Sequence, residues 1–257
     1  MDVGLLILIF LIGFIGSFIS GMLGIGGSII KYPMLLYIPP LVGFAAFSAH
    51  EVSGISAIQV LFATISGVWA YRKGGYLKKD IITFMGISIF FGSLIGGYSS
   101  QLFSDDGVNL VYAILATIAT VMMFIPQKES AFQYDEKNLN KTLASFSAFV
   151  VGVFSGVVGA AGAFILVPIM LVILKIPARI TIANSLAITF ISSIGATTSK
   201  IATGQIVWLP ALVMIAASII ASPIGVNIGK KTNSLVLRWL LAILILATAI
   251  KIWLDLL

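Results

Sequence analysis

The sequence predicts an all-α polytopic membrane protein built from two related, oppositely inserted halves. Three observations lead there. Hydrophobic residues make up 60% of the chain and charged residues only 9%, whereas a soluble domain needs far more polar surface to cover its core. Apolar runs long enough to cross a bilayer, about 20 residues each, recur from end to end. A glycine-rich motif with a fixed Ser and Pro frame occurs twice.

The runs are expected near Val3–Leu23, Phe44–Tyr71, Ile81–Phe103, Val108–Pro126, Leu143–Val158, Ile180–Ile201, Val207–Ile228 and Leu235–Leu254. Two shorter apolar stretches, Ser28–Ile38 and Ala163–Leu174, each follow a glycine-rich break. They are too short to cross upright, and the sequence leaves open whether they are re-entrant. Asp2 stands where a secretory leader would carry Lys or Arg, so the first run reads as a membrane segment. The polar stretch Gln127–Lys141 is the one linker-like segment. It divides the chain into a first half, 1–126, and a second half, 142–257. The SDDG stretch at Ser104–Gly107 allows only a tight hairpin, with Asp105 or Asp106 expected to cap the helix that follows.

The halves share a frame. Ser20–Pro33 (SGMLGIGGSIIKYP) aligns without gaps on Ser155–Pro168 (SGVVGAAGAFILVP), with six of fourteen positions identical. Weaker matches follow at Gly75 and Gly204, Gly97 and Gly225, and Leu110 and Leu237. Each copy reads as a break-containing segment followed by three spans. Basic residues orient the copies, because Lys and Arg concentrate in cytoplasmic loops. With the halves inverted and the linker cytoplasmic, twelve of the 15 Lys and Arg fall on the inner side. A parallel arrangement would move Lys175, Arg179, Lys230, Lys231 and Arg238 outside. The inverted arrangement is therefore expected, with both termini outside. The net charge of +6 is then loop charge, and nucleic acid is not expected as a partner.

Chemistry is expected first at the breaks. Gly24, Gly26 and Gly27 in one copy, and Gly159 and Gly162 in the other, are places for a membrane helix to open. Freed backbone groups must then be buried in protein or line a wet cavity. Helices restarting at Ser28 and Ala163 would aim positive dipole ends at the protein interior, a setting for a small anion. Ser53, Asn184 and Ser185 would add neutral hydrogen bonds, placing the anion near the midplane between the breaks. Elsewhere, as in Gly92–Gly96, Gly152–Gly156 and Gly225–Gly229, small-residue spacing points to close helix packing.

His50 and Glu51 are candidates for proton coupling, since intramembrane ionisable groups are costly and histidine titrates near neutral pH. Tyr71 lies about 20 residues further on, ~30 Å of helix, which would instead put the pair at the outer interface; both readings stand. Lys31 could hold an anion or reach the headgroups, while Lys200, Gln205 and Arg179 read as anchors at span ends. With no cysteine and one histidine, neither a metal nor another cofactor is expected. An intramembrane enzyme is disfavoured on the same ground.

The frame SGxxGxGG, an apolar run and Pro, present at Ser20–Pro33 and again at Ser155–Pro168, resembles the sulfite exporter family TauE/SafE. The triplet Ala183–Ser185, the Gly204-Gln205-Ile206 turn and the overall length extend the resemblance to essentially the whole chain. It implies a secondary transporter of the bacterial inner membrane for sulfite, sulfoacetate or a related organosulfonate. Two departures stand out. Ala49-His50-Glu51-Val52-Ser53 replaces a small, hydroxyl-rich stretch, and Ala161 stands where the first copy has Gly26. An anion channel and a membrane scaffold remain as rival readings. The oligomeric state stays open, a homo-oligomer included.

Overall fold

The computed structural model describes residues 2–25, 28–71, 75–125, 139–160 and 162–256. Ten helices follow in order: α1 (Val3–Leu23), α2 (Ser28–Leu41), α3 (Ala49–Tyr71), α4 (Lys79–Ser99), α5 (Asp105–Phe124), α6 (Lys141–Val158), α7 (Ala163–Pro168), α8 (Ala178–Ala202), α9 (Trp208–Lys231) and α10 (Ser234–Leu256). A π turn, Ile169–Ile173, extends α7. Eight of the helices are long and apolar enough to cross a membrane. The protein is a multi-pass membrane protein, as expected.

Two boundaries differ from expectation. The second span begins at Ala49 rather than Phe44, because Gly43 turns the chain at φ 87° and Ser48 and Glu51 then start the helix. Ser48 Oγ accepts from the Glu51 amide at 3.2 Å, and a Glu51 carboxylate oxygen accepts from the Ser48 amide at 2.9 Å. That reciprocal pair is a capping box. The cap of α5 is Ser104, whose hydroxyl accepts from Gly107 N at 3.1 Å, and not Asp105 or Asp106. Most of the expected linker, residues 127–138, lies outside the described residues; Asn140 caps α6 through Leu143 N at 3.0 Å.

Lipid tails give helices little reason to associate by hydrophobicity, so close approach of small residues matters most. Gly92 and Gly96 of α4 lie directly against Gly152 and Val153 of α6, and Gly156 against Ser93 and Gly97. The matching seam joins α1 and α9, where Gly225 meets the Phe18 carbonyl and Gly229 meets Met22. In both seams the residue numbers rise together, so each pair runs parallel. Lipid-side positions of the same helices, such as Ile95 and Ile15, are exposed and apolar.

Helices α3 and α8 form the centre. Their membrane spans are more buried than any other. Gly54 abuts Gln205 while Gly67 abuts Leu186, so the two run antiparallel. Helix α2 returns beside α1, with Lys31 over Gly16 and Phe44 over Gly4. The hairpin α1–α2 therefore starts and finishes at the end of the bundle that carries His50. The hairpin α6–α7 starts and finishes at the other end, which carries Arg179: Ser145 bonds Phe84 O near the start of α4, and Thr181 bonds Ile176 O at the exit of the π turn.

Candidate functional site

Both hairpins turn on a glycine in the left-handed region. Gly24 ends α1 at φ 75°, and Gly159 ends α6 at φ 72°. L side chains rarely adopt that conformation, and it is the usual way to close a helix C-terminus. There is no room for a side chain either. A Cβ on Gly24 would come within 2.6 Å of the Ile182 carbonyl, and one on Gly159 would collide with the Ser53 carbonyl. Each break is thus seated on a central helix: the first on α8, the second on α3.

The expected polar residues hold these seats. Ser185 Oγ donates to the Gly24 carbonyl at 2.6 Å and to Ile182 O at 3.0 Å. Ser53 Oγ donates to the Val157 carbonyl at 3.2 Å. Asn184 is wholly committed to the chain entering α4: its Oδ1 accepts from Lys78 N at 2.7 Å, and its Nδ2 donates to Tyr76 O at 2.8 Å and to Ile180 O at 2.7 Å. The Gly162 carbonyl accepts from Ile165 N and Leu166 N at the start of α7. Ser28 and Ala163 open α2 and α7 as expected. Gly26 and Gly27 lie outside the described residues.

Gly24 is thereby brought to Ser185, and Gly159 to Ser53, but the two breaks do not face one another at one depth. Along the antiparallel α3–α8 pair, Ser185 is level with α3 near Gly67, some fifteen residues beyond Ser53. At 1.5 Å per residue the breaks are offset by ~20 Å along the helix axes. Sequence could not give this, because it depends on the register between α3 and α8.

Between those levels lies a set of polar atoms that the sequence did not single out as a site. Ser56 Oγ and Gln59 Oε1 on α3, and Thr189 Oγ1, Ser192 Oγ and Thr197 Oγ1 on α8, are buried without a hydrogen-bond partner among the described residues. Buried polar atoms are almost always paired, so five on two facing helices call for an explanation. The offset that carries Gly75 onto Gly204 also carries Ser56 onto Ser185, His50 onto Arg179 and Tyr71 onto Lys200. Ser185 seals its break, whereas Ser56 is unengaged beside the other.

Two lysines are buried with them. Lys31 reaches Ser17 Oγ at 3.2 Å, where Gln59 Nε2 also donates to Ser17 and to Ser218. Lys200, expected as an anchor, is fully buried instead. Its ammonium donates to Gln205 Oε1 at 2.7 Å, Ser100 Oγ at 2.8 Å and the Val157 carbonyl at 3.1 Å. The short turn after α8 folds Gln205 back over Lys200, and this turn hides the lysine from the membrane surface.

Comparison with known proteins bears on this arrangement. The model of the sulfite exporter TauE/SafE family matches residues 9–252. The chain belongs to the sulfite exporter TauE/SafE family of membrane transporters. It is similar to the probable membrane transporter protein YunE of Bacillus subtilis, with 24% identity over 89% of this chain and 90% of YunE. It is also similar to the probable membrane transporter protein MJ0441 of Methanocaldococcus jannaschii, with 26% identity over 93% of this chain and 91% of that protein. No solved structure matches.

In this TauE/SafE protein the unusual stretch at residues 49–53 occupies the end of the α3–α8 pair. His50 Nδ1 faces Gln205 Oε1 at 3.3 Å and Nε2 faces the Phe103 carbonyl at 3.0 Å, so both ring nitrogens face acceptor oxygens. Gln205 Oε1 is fixed in that role because it also receives the Lys200 ammonium. Asp105 accepts from His50 N at 3.1 Å and lies 4.0 Å from the ring. Glu51 points away into its capping box. The histidine therefore joins the Lys200 network, and the glutamate does not. Ala161 lies outside the described residues.

Proposed function

We propose that this TauE/SafE transporter carries a small sulfur-containing anion, sulfite, sulfoacetate or a related organosulfonate, across the plasma membrane by alternating access. The halves act as inverted repeats that rock about the α3–α8 pair, with the His50 end outside and the Arg179 end in the cytoplasm. The antiparallel course of α3 and α8, which occupy equivalent places in the two halves, supports this reading, as do hairpins entering from opposite ends. The positive residues agree, since Lys230 and Arg179 sit at the proposed cytoplasmic end.

The observation that carries the proposal is the run of unpartnered polar atoms at Ser56, Gln59, Thr189, Ser192 and Thr197 between the two breaks. A substrate anion moving between the breaks would find hydroxyl donors that the protein does not use itself. Gly24, Gly159 and Gly162, with the helix starts at Ser28 and Ala163, shape the two ends of that route. Ser53 and Ser185 hold the breaks, Asn184 holds the chain entering α4, and all three become available as these elements move. His50, through Gln205, is the group placed to couple proton uptake to the anion. Glu51, through its capping box, fixes the start of α3 on which His50 stands.

The test is thermal stabilisation of purified protein by sulfite, sulfate, thiosulfate, sulfoacetate, methanesulfonate and carboxylate controls. A ligand of the native state raises apparent stability by mass action. A saturable shift confined to sulfur oxyanions and sulfonates is expected. A folded protein indifferent to every one of them would contradict the proposal.

A further inference from the structure

The charge balance around Lys200 narrows the ligand, on the reading that the protein carries an anion. No carboxylate of the described residues lies within 4.0 Å of its ammonium, and all three of its partners, Gln205, Ser100 and Val157 O, are neutral. A buried charge satisfied only by dipoles is costly, because neutral partners replace water but do not cancel the charge. Asp105, the acidic group of the network, sits beside His50, 4.0 Å from its ring, and not beside Lys200. Lys200 thus has no anionic partner of its own among the described residues, and an anion brought beside it would favour its charged form.

Polar atoms without partners lie near its level on α3 and α8. Thr197 precedes Lys200 by one turn of α8, 5% exposed and unpartnered. In the register set by Gly67 against Leu186, Lys200 is level with Ser53 on α3 and Thr197 with Ser56. Ser56 Oγ is fully buried and unpartnered. Ser53, one turn away, and Lys200 converge on the same carbonyl, Val157 O at the end of α6. The corresponding place in the other half has Tyr71 in place of the lysine, so the buried lysine itself is not duplicated there.

We propose that Lys200, with the hydroxyls of Ser56 and Thr197, forms a binding site for a singly charged sulfur oxyanion, a sulfonate or hydrogen sulfite, in the His50-side half of the protein. One ammonium neutralises one negative charge. Lys31, the other buried lysine, is held beside Ser17 and Gln59 and not on Val157 O, so a divalent anion such as sulfate would bring a second charge that Lys200 alone does not meet, and is selected against.

The experiment measures saturable uptake of methanesulfonate, with sulfate as competitor, in proteoliposomes holding wild type, K200M, K200R, S56A or T197V. In wild type, methanesulfonate is carried and sulfate competes weakly. In K200M the KM for methanesulfonate rises at least about tenfold, and in K200R it stays within about threefold. S56A and T197V raise KM several-fold each without changing the yield of folded protein. They carry the test if K200M fails to fold. Uptake that proceeds in K200M, or in S56A and T197V, with unchanged KM and sulfate selectivity overturns this site while leaving the transporter reading in place. Sulfate carried by wild type as readily as methanesulfonate overturns the charge rule. Absence of uptake of any sulfur anion by folded wild type removes both.

Discussion

The hydroxyl of Ser185 on α8 donates to the carbonyl of Gly24 at the end of α1 over 2.6 Å. Both groups are fully out of reach of water, so the bond closes a helix end that lipid could not. Its counterpart by position, Ser56, makes no such bond. The same substitution should therefore have opposite readouts at the two places. S185A leaves a buried carbonyl unsatisfied and should lower stability by about 1–3 kcal/mol, seen as a fall in the unfolding temperature of purified protein. S56A should leave that temperature nearly unchanged and impair transport instead. Equal destabilisation by both would mean that Ser56 is a structural hydroxyl.

Gly159 should tolerate no side chain. Alanine there meets both an unfavourable φ and the Ser53 carbonyl, and strain of this kind costs on the order of 1–3 kcal/mol before any clash is counted. G159A is expected to give little folded protein, measured as monodisperse material after detergent extraction. G43A is a useful control. Gly43 has a positive φ but nothing within 4 Å of a new Cβ, so that variant should lose far less.

Helix packing makes a sharper contrast along α4. Gly96 lies against the Val153 backbone, and its neighbour Ile95 is 51% exposed toward lipid. G96L should separate α4 from α6 and abolish folded yield. I95A should leave it within about 0.5 kcal/mol of wild type, as for other exposed positions. Comparable losses from both would contradict the glycine seam.

His50 and Glu51 are neighbours with separate duties. E51A removes a capping box and should cost about 1 kcal/mol, with the pH dependence of transport largely kept. H50Q should preserve the fold and flatten that dependence, because His50 is linked to Lys200 through Gln205. Flux measured across a pH series in both variants checks this. An unchanged pH profile in H50Q would remove histidine from coupling.

Much of this architecture was legible in the residues. The eight spans, the glycine seams and the duplicated breaks all follow from local composition, because lipid forces every backbone group into helices or into protein-lined turns. Gly24 and Gly159 could be paired from sequence alone, and they share one backbone conformation. What depends on register could not be read. Lys200 looked like an anchor because it lies near the end of an apolar run, and only the fold-back of Gln205 buries it. Ser56 was hidden among small residues of α3, since nothing local distinguishes an unpartnered hydroxyl from one bonded within its own helix, such as Thr64 to Val60 O. The start of α3 was misplaced because Phe44–Phe47 is as apolar as the span it precedes.

On the proposed reading the protein moves a small sulfur-containing anion against a gradient. Accumulation of labelled methanesulfonate in proteoliposomes under an imposed proton gradient tests it most directly. Saturable uptake is expected to exceed equilibrium while the gradient lasts and to collapse when the gradient is dissipated. Uptake that only equilibrates and never exceeds the external concentration, or none at all by folded protein, would contradict it.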